Sequence, residues 1–187
     1  IKSGNITYID NRYKYIDFGI STTFDDKKKI EKRALQEFDT NRIYIYYPFD
    51  ILYLYASMPK LYIEKYKNRK SYDELKDIHE VVFDRDYKYE WQNVFELAFE
   101  NKLNIKDTIE RLDTYSLGIT LTKLLYDYIF KKFDHLNDYD LYLMIKDVFD
   151  CEKFNHIYDL LKDMTEPLSS NRISPDIAYS RYKSIYH

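Results

Sequence analysis

Three glycines, Gly4, Gly19 and Gly118, are all that the 187 residues contain. A chain this poor in glycine keeps it where the backbone needs positive φ or where another segment approaches closely. Each one sits in a short motif: Lys2-Ser3-Gly4-Asn5, Asp17-Phe18-Gly19 and Asp113-Thr114-Tyr115-Ser116-Leu117-Gly118. These motifs mark the most constrained points of the fold.

The length fits one domain, and a hydrophobic content of 45% is enough for a core. That content includes 22 tyrosines, whose hydroxyls need partners or water when buried. The net charge of −3 gives no sign of nucleic acid or an anionic membrane as a partner. A single cysteine, Cys151, excludes an internal disulfide framework and fits a reducing intracellular compartment. His79, His135, His156 and His187 are scattered without ligand spacing, so a histidine-built metal site is not expected. The most apolar stretch, Ile51 to Met58, is far short of the roughly 20 residues that span a bilayer. No signal peptide is visible and the first residue is not methionine, so a preceding segment and a cytoplasmic location are expected. The richness in Tyr, Ile, Lys, Asp and Asn is what AT-rich codons give, as in a large DNA virus or certain protists. A viral origin would mean host cytoplasm or virion.

Ile6 to Asp10 and Tyr13 to Phe18 read as two strands joined by a tight turn at Asn11-Arg12. Ser21 to Thr40, with its mixed-charge run Asp25 to Arg33, reads as a solvated loop or short exposed helix. From Ile51 the pattern is helical, with Leu52, Tyr55, Ala56, Leu61, Ile63 and Tyr66 facing a core around Pro59. Further helices are expected over 72–83, 89–103, 113–130, 140–149, 152–165 and 175–185. Trp91, Val94, Phe95 and Ala98 form an apolar stripe, as do Leu117, Leu121, Leu124, Leu125 and Tyr128; apolar residues off this second stripe imply a helix buried on several sides. Asp138 or Asp140 is the expected cap of one helix, and Ser174 before Pro175 that of another. The fold class is mainly α with a small β-hairpin.

Asn5 and Asp17 flank the hairpin, and an amide oxygen with a carboxylate suits magnesium. Lys2-Ser3-Gly4-Asn5 resembles the end of the catalytic loop H-R-D-x-K-x-x-N, and Asp17-Phe18-Gly19 resembles D-F-G, of the eukaryotic-type serine/threonine protein kinases. The resemblance implies a protein-kinase-like C-terminal lobe over 1–187, the α+β kinase fold without its N-terminal lobe. It implies that Asn5 and Asp17 hold Mg2+ ions bridging the ATP phosphates and that Lys2 neutralises the γ-phosphate during transfer. The catalytic aspartate would fall immediately before Ile1, outside the chain.

Tyr47-Pro48-Phe49-Asp50 stands where the family has A-P-E, whose acid pairs with an arginine near the C-terminus; Arg172 is in the matching region. The resemblance therefore implies a buried Asp50–Arg172 ion pair. Aspartate is one methylene shorter than glutamate, which works against a tight bidentate geometry. Asp113-x-x-Ser116-x-Gly118 resembles D-x-W-S-x-G, with Tyr115 in the aromatic position; the family uses this aspartate to hold the catalytic loop, while alone it reads as a helix cap.

Asp50 and Asp113 are farther apart than in typical kinases, implying a helical insertion at about 52–110. It could dock a partner or simply cover apolar surface. The Gly-rich loop, the V-A-I-K lysine and its glutamate partner are not found, so the chain alone is expected to be inactive. The expected partners are a protein substrate and the missing N-terminal lobe, not nucleic acid or membrane. Ser21, Thr22, Thr23 and Thr40 are candidate phosphorylation sites opposite Lys27-Lys28-Lys29 or Lys32-Arg33. The alternative is a pseudokinase acting as an interaction scaffold. A third reading, an unrelated helical protein, predicts that neither Asn5 with Asp17 nor Asp50 with Arg172 converges.

Overall fold

The computed structural model describes residues 5–15, 23, 25–39, 45–54, 70–100, 102–132, 135–149 and 152–186. These form one antiparallel hairpin followed by helices. Strands β1 (Ile6–Ile9) and β2 (Arg12–Tyr15) pair with Ile6 opposite Tyr15 and Ile9 opposite Arg12. The turn is therefore Asp10-Asn11, one residue earlier than expected. Both residues take positive φ, 53° and 58°. A two-residue turn of this hand needs positive φ at both positions, which Asp and Asn tolerate and Arg does not. The expected extension of β2 to Phe18 lies outside the described residues, as do Tyr55, Ala56, Leu61, Ile63 and Tyr66.

The charged run forms a regular helix, α1 (Lys27–Asp39), longer than the short helix or loop expected. Asp26 caps it, its carboxylate accepting from the Lys29 N–H at 3.1 Å, and Ile30 is buried while its charged neighbours stay exposed. Helix α2 (Phe49–Leu54) follows Pro48 and buries Phe49, Asp50 and Ile51.

Helix α3 (Lys70–Asp77) runs into a π-helical stretch, Ile78–Val82, rather than remaining one α-helix. Asp84, with φ 51°, turns the chain after it. Asp86 then starts α4 (Tyr87–Phe99), two residues ahead of expectation, by accepting from the Tyr89 N–H at 2.9 Å. The stripe holds: Trp91 and Val94 are buried, and Phe95 and Ala98 pack partly against them. Asn104 caps the short α5 (Ile105–Glu110).

Helix α6 (Leu112–Lys132) departs from expectation in the face it buries. Leu121, Leu124 and Tyr128 are exposed, whereas Thr114, Tyr115, Ser116, Ile119, Thr120 and Thr122 are buried. The hydroxyls enter the core because each returns to its own helix. Ser116, Thr120 and Thr122 donate to the carbonyls four residues back, at 3.0, 2.7 and 2.8 Å. Leu117 and Leu125 of the expected face pack partly against the cores, so the apolar stripe named part of the buried surface and missed the hydroxyl-bearing part. Helix α7 (Asp138–Phe149) is capped by Asn137, not by Asp138 or Asp140; its side-chain oxygen accepts from the Asp140 N–H at 2.9 Å. Helix α8 (Glu152–Met164) packs against α6, and α9 (Pro175–Tyr186) starts at Ser174, which accepts from the Ile177 N–H at 3.3 Å as expected.

The main core joins Phe49 and Ile51 to Leu75, Tyr87, Trp91, Val94, Ile109, Tyr115 and Ile119. Phe49 packs its ring 5.3 Å from that of Tyr87 and 6.3 Å from that of Trp91. A second cluster joins Ile78, Val82 and Phe83 to Leu141, Ile145 and Leu161. No described helix is long and apolar enough to cross a membrane.

Candidate functional site

Of the residues implied to hold magnesium and phosphate, Asn5 is described, half-buried at the head of β1. Lys2 and Asp17 lie outside the described residues, as do Ser21, Thr22, Thr40 and Cys151. Thr23 is exposed. Asp113 is exposed in the first turn of α6, where a carboxylate favours the helix dipole.

Asp50 and Arg172 meet. Both side chains are fully buried, and Arg172 Nη2 lies 3.4 Å from each carboxylate oxygen. One nitrogen thus straddles the carboxylate, in place of two parallel bonds from the guanidinium fork. Most of the remaining capacity is taken up locally, although Arg172 Nη1 is buried with no hydrogen-bond partner among the described residues. Asp50 accepts from the backbone N–H of Ile51 at 3.0 Å and of Ser169 at 2.7 Å. Arg172 donates to the carbonyls of Glu166 and Pro167 at 2.8 and 2.9 Å, and its guanidinium lies 4.9 Å from the ring of Tyr115. Burial pushes the Tyr115 hydroxyl well above its usual titration range. These added hydrogen bonds offset much of the cost of burying the two charges.

Two other arginines converge on the same turn, and no motif marks either of them. Arg111 Nη1 donates to the carbonyl of Arg172 at 2.7 Å and also reaches that of Ser169. Arg85 comes from the connection ahead of α4. Its Nη1 donates to the Thr165 carbonyl at 3.1 Å, and its Nη2 donates to the Lys162 carbonyl at 2.6 Å and pairs with Glu166. The turn between α8 and α9 is therefore held by its own Arg172 and by two guanidinium groups, those of Arg85 and Arg111, brought from distant parts of the chain. In sequence Arg85 stands between Asp84 and Asp86, which reads as solvated surface charge; only the fold reveals its burial.

Beside Arg85 lie His79 and Glu90. His79 is fully buried, stacked 5.0 Å from the Tyr87 ring. Burial, reinforced by Arg85, holds its imidazole well below the usual histidine range. Burial likewise raises the Glu90 carboxyl to about 7, with Arg85 opposing the shift and Glu166 adding to it. The motif serine Ser116 shares its one hydroxyl proton between the Leu112 carbonyl and, at the shorter distance of 2.7 Å, the Tyr46 carbonyl, tying the head of α6 to the segment before Pro48. At Gly118 a Cβ would stand 2.8 Å from Thr165 Cγ2 and 2.9 Å from Met164 Cβ, so this glycine permits a close helix approach.

No protein-family model, no curated protein and no solved structure matches the chain.

Proposed function

We propose that the chain is the C-terminal lobe of a Mg–ATP-dependent serine/threonine protein kinase. The observation that supports this best is the Asp50–Arg172 pair. The motif resemblance alone singled out these two residues, 122 positions apart, and they meet with both charges out of solvent. The contact of Ser116 with Tyr46 is a second link between two motif segments.

On this reading a protein hydroxyl oxygen attacks the γ-phosphorus of ATP. The bond from that phosphorus to the β–γ bridging oxygen breaks, and ADP departs. The hydroxyl proton passes to an aspartate that the resemblance puts ahead of Ile1. Bound Mg2+ would offset phosphate charge, held by the Asn5 amide oxygen and the Asp17 carboxylate, both hard ligands of the kind magnesium takes. Lys2 would neutralise the transferred γ-phosphate. The 187 residues contain no match to a nucleotide-covering Gly-rich loop, so the chain alone is expected to transfer nothing.

A second reading, a pseudokinase scaffold, draws on Phe49. This residue replaces the family's proline and is buried against Tyr87 and Trp91. The departure from the family motif thus serves packing of the added helices, which a scaffold would retain for a partner. The deciding experiment is phosphate transfer from labelled Mg–ATP to a generic basic protein, by the complete natural polypeptide and its Asp17→Asn variant. Transfer lost in the variant supports the enzyme. Absence of transfer by either folded protein supports the scaffold.

A further inference from the structure

Glu90, in the first turn of α4, faces charge from every side. Arg85 and Asp86 precede it in the chain, Lys162 belongs to α8, and Glu166 lies in the turn after α8. His79 of the π-helical stretch meets Arg85, its Nδ1 lying 3.5 Å from Nη1. The Arg85 guanidinium is shared: Nε is 3.6 Å from Glu90 Oε1, while Nη2 serves Glu166 and the Lys162 carbonyl and Nη1 serves Thr165. Glu90 Oε2 is buried and has no hydrogen-bond partner among the described residues. An ionised carboxylate here lacks donors for one oxygen and competes with Glu166 for the Arg85 guanidinium, with Lys162 a lesser favourable charge.

We propose that Glu90 is a proton-operated latch: protonated, it lets α4 close on the turn after α8, and loss of the proton loosens that joint. The neutral carboxyl removes repulsion towards Glu166 and leaves Arg85 to a single carboxylate. The proton is exchanged with water, since the Glu90 side chain keeps 25% of its surface exposed. The joint adds to the apolar packing of Tyr87 and Trp91 on Phe49, so the latch sets how firmly the first turn of α4 meets the turn after α8. The inference is independent of the kinase reading.

The test is a carbon-detected NMR titration of the glutamate side chains in the whole chain, with the Glu90 carboxyl assigned by through-bond correlation to its own backbone amide. A midpoint near 7 is expected; a midpoint near the ordinary value of 4.5 overturns the proposal. Glu166→Gln removes the repulsion and frees Arg85, so it should lower the midpoint. An unchanged midpoint would refute the shared guanidinium, and this arm stands even if Glu90→Gln fails to fold. Amide hydrogen exchange over residues 84–92 and 162–172 reads the loosening. Between about pH 6 and about pH 8, after correction for intrinsic rates, the wild type should lose roughly tenfold more protection than Glu90→Gln. Equal losses would rule the latch out.

Discussion

Arg172 Nη2 sits 3.4 Å from both carboxylate oxygens of Asp50, and neither side chain is accessible to solvent. The pair joins the start of α2 to the turn between α8 and α9. Removing one partner leaves a buried charge alone, so Asp50→Leu and Arg172→Leu should each destabilise the fold by about 3–5 kcal/mol. The Asp50→Leu/Arg172→Leu double variant should lose clearly less than the sum of its single variants, because no lone charge remains. Urea unfolding of the four proteins measures this; strict additivity would show that the two groups do not stabilise each other.

Gly118 is predicted to resist even alanine. Helix propensity alone favours alanine by about 1 kcal/mol. The added methyl would stand 2.8 Å from Thr165 Cγ2 and 2.9 Å from Met164 Cβ, inside packed α6–α8 contact. Overpacking of this kind costs about 1–3 kcal/mol, so Gly118→Ala should lower the melting temperature despite its better propensity. Adding Thr165→Ser, which removes the nearer methyl, should restore part of the loss.

Glu90 and His79 give opposite pH dependences. The folded Glu90 carboxyl holds its proton up to about 7, against a reference value of 4.5. Between these values the folded state binds more protons than the unfolded chain, so this contribution to stability falls as pH rises. His79 is held well below 6.5 when folded, so the unfolded chain binds the extra proton and stability falls as pH drops below 6.5. Urea unfolding across this range should show Glu90→Gln losing the decline towards neutrality while keeping the acid-side loss. If the slope of Glu90→Gln matches that of the wild type above about pH 6, the Glu90 contribution is absent.

What the sequence revealed followed periodicity and local capping. The Trp91–Val94–Phe95–Ala98 stripe and the Ser174-Pro175 start are set by neighbours within one or two turns, and both stand in the structure. Leu117 and Leu125 pack as expected, but the rest of the buried face of α6 escapes a hydrophobic pattern because Thr114, Ser116, Thr120 and Thr122 count as polar, although i−4 hydrogen bonds make three of these hydroxyls fit for a core. The hairpin turn was off by one residue because Asn11 was paired with Arg12, not with Asp10. Asp50 and Arg172 were found because motifs named them, not because spacing did. Arg85 and Arg111 had no such marker: their partners are carbonyls some 58 to 80 residues away, a relation that only tertiary structure creates.

On the kinase reading, Lys2 and Asn5 should fail differently when changed in the complete natural polypeptide. Lys2 would meet charge on the γ-phosphate during transfer, so Lys2→Ala should lower kcat by about 10²–10³-fold with a small change in KM for ATP. Asn5 would act through the metal, so Asn5→Ala should raise the Mg2+ concentration needed for half-maximal rate and recover partly at high Mg2+. Steady-state kinetics with Mg2+ and ATP varied separately distinguishes the two. If both variants lose activity equally at every Mg2+ concentration while remaining folded, Asn5 is not acting as a metal ligand. If neither variant alters the rate of an active parent, the assignment of this segment to the phosphate site is wrong.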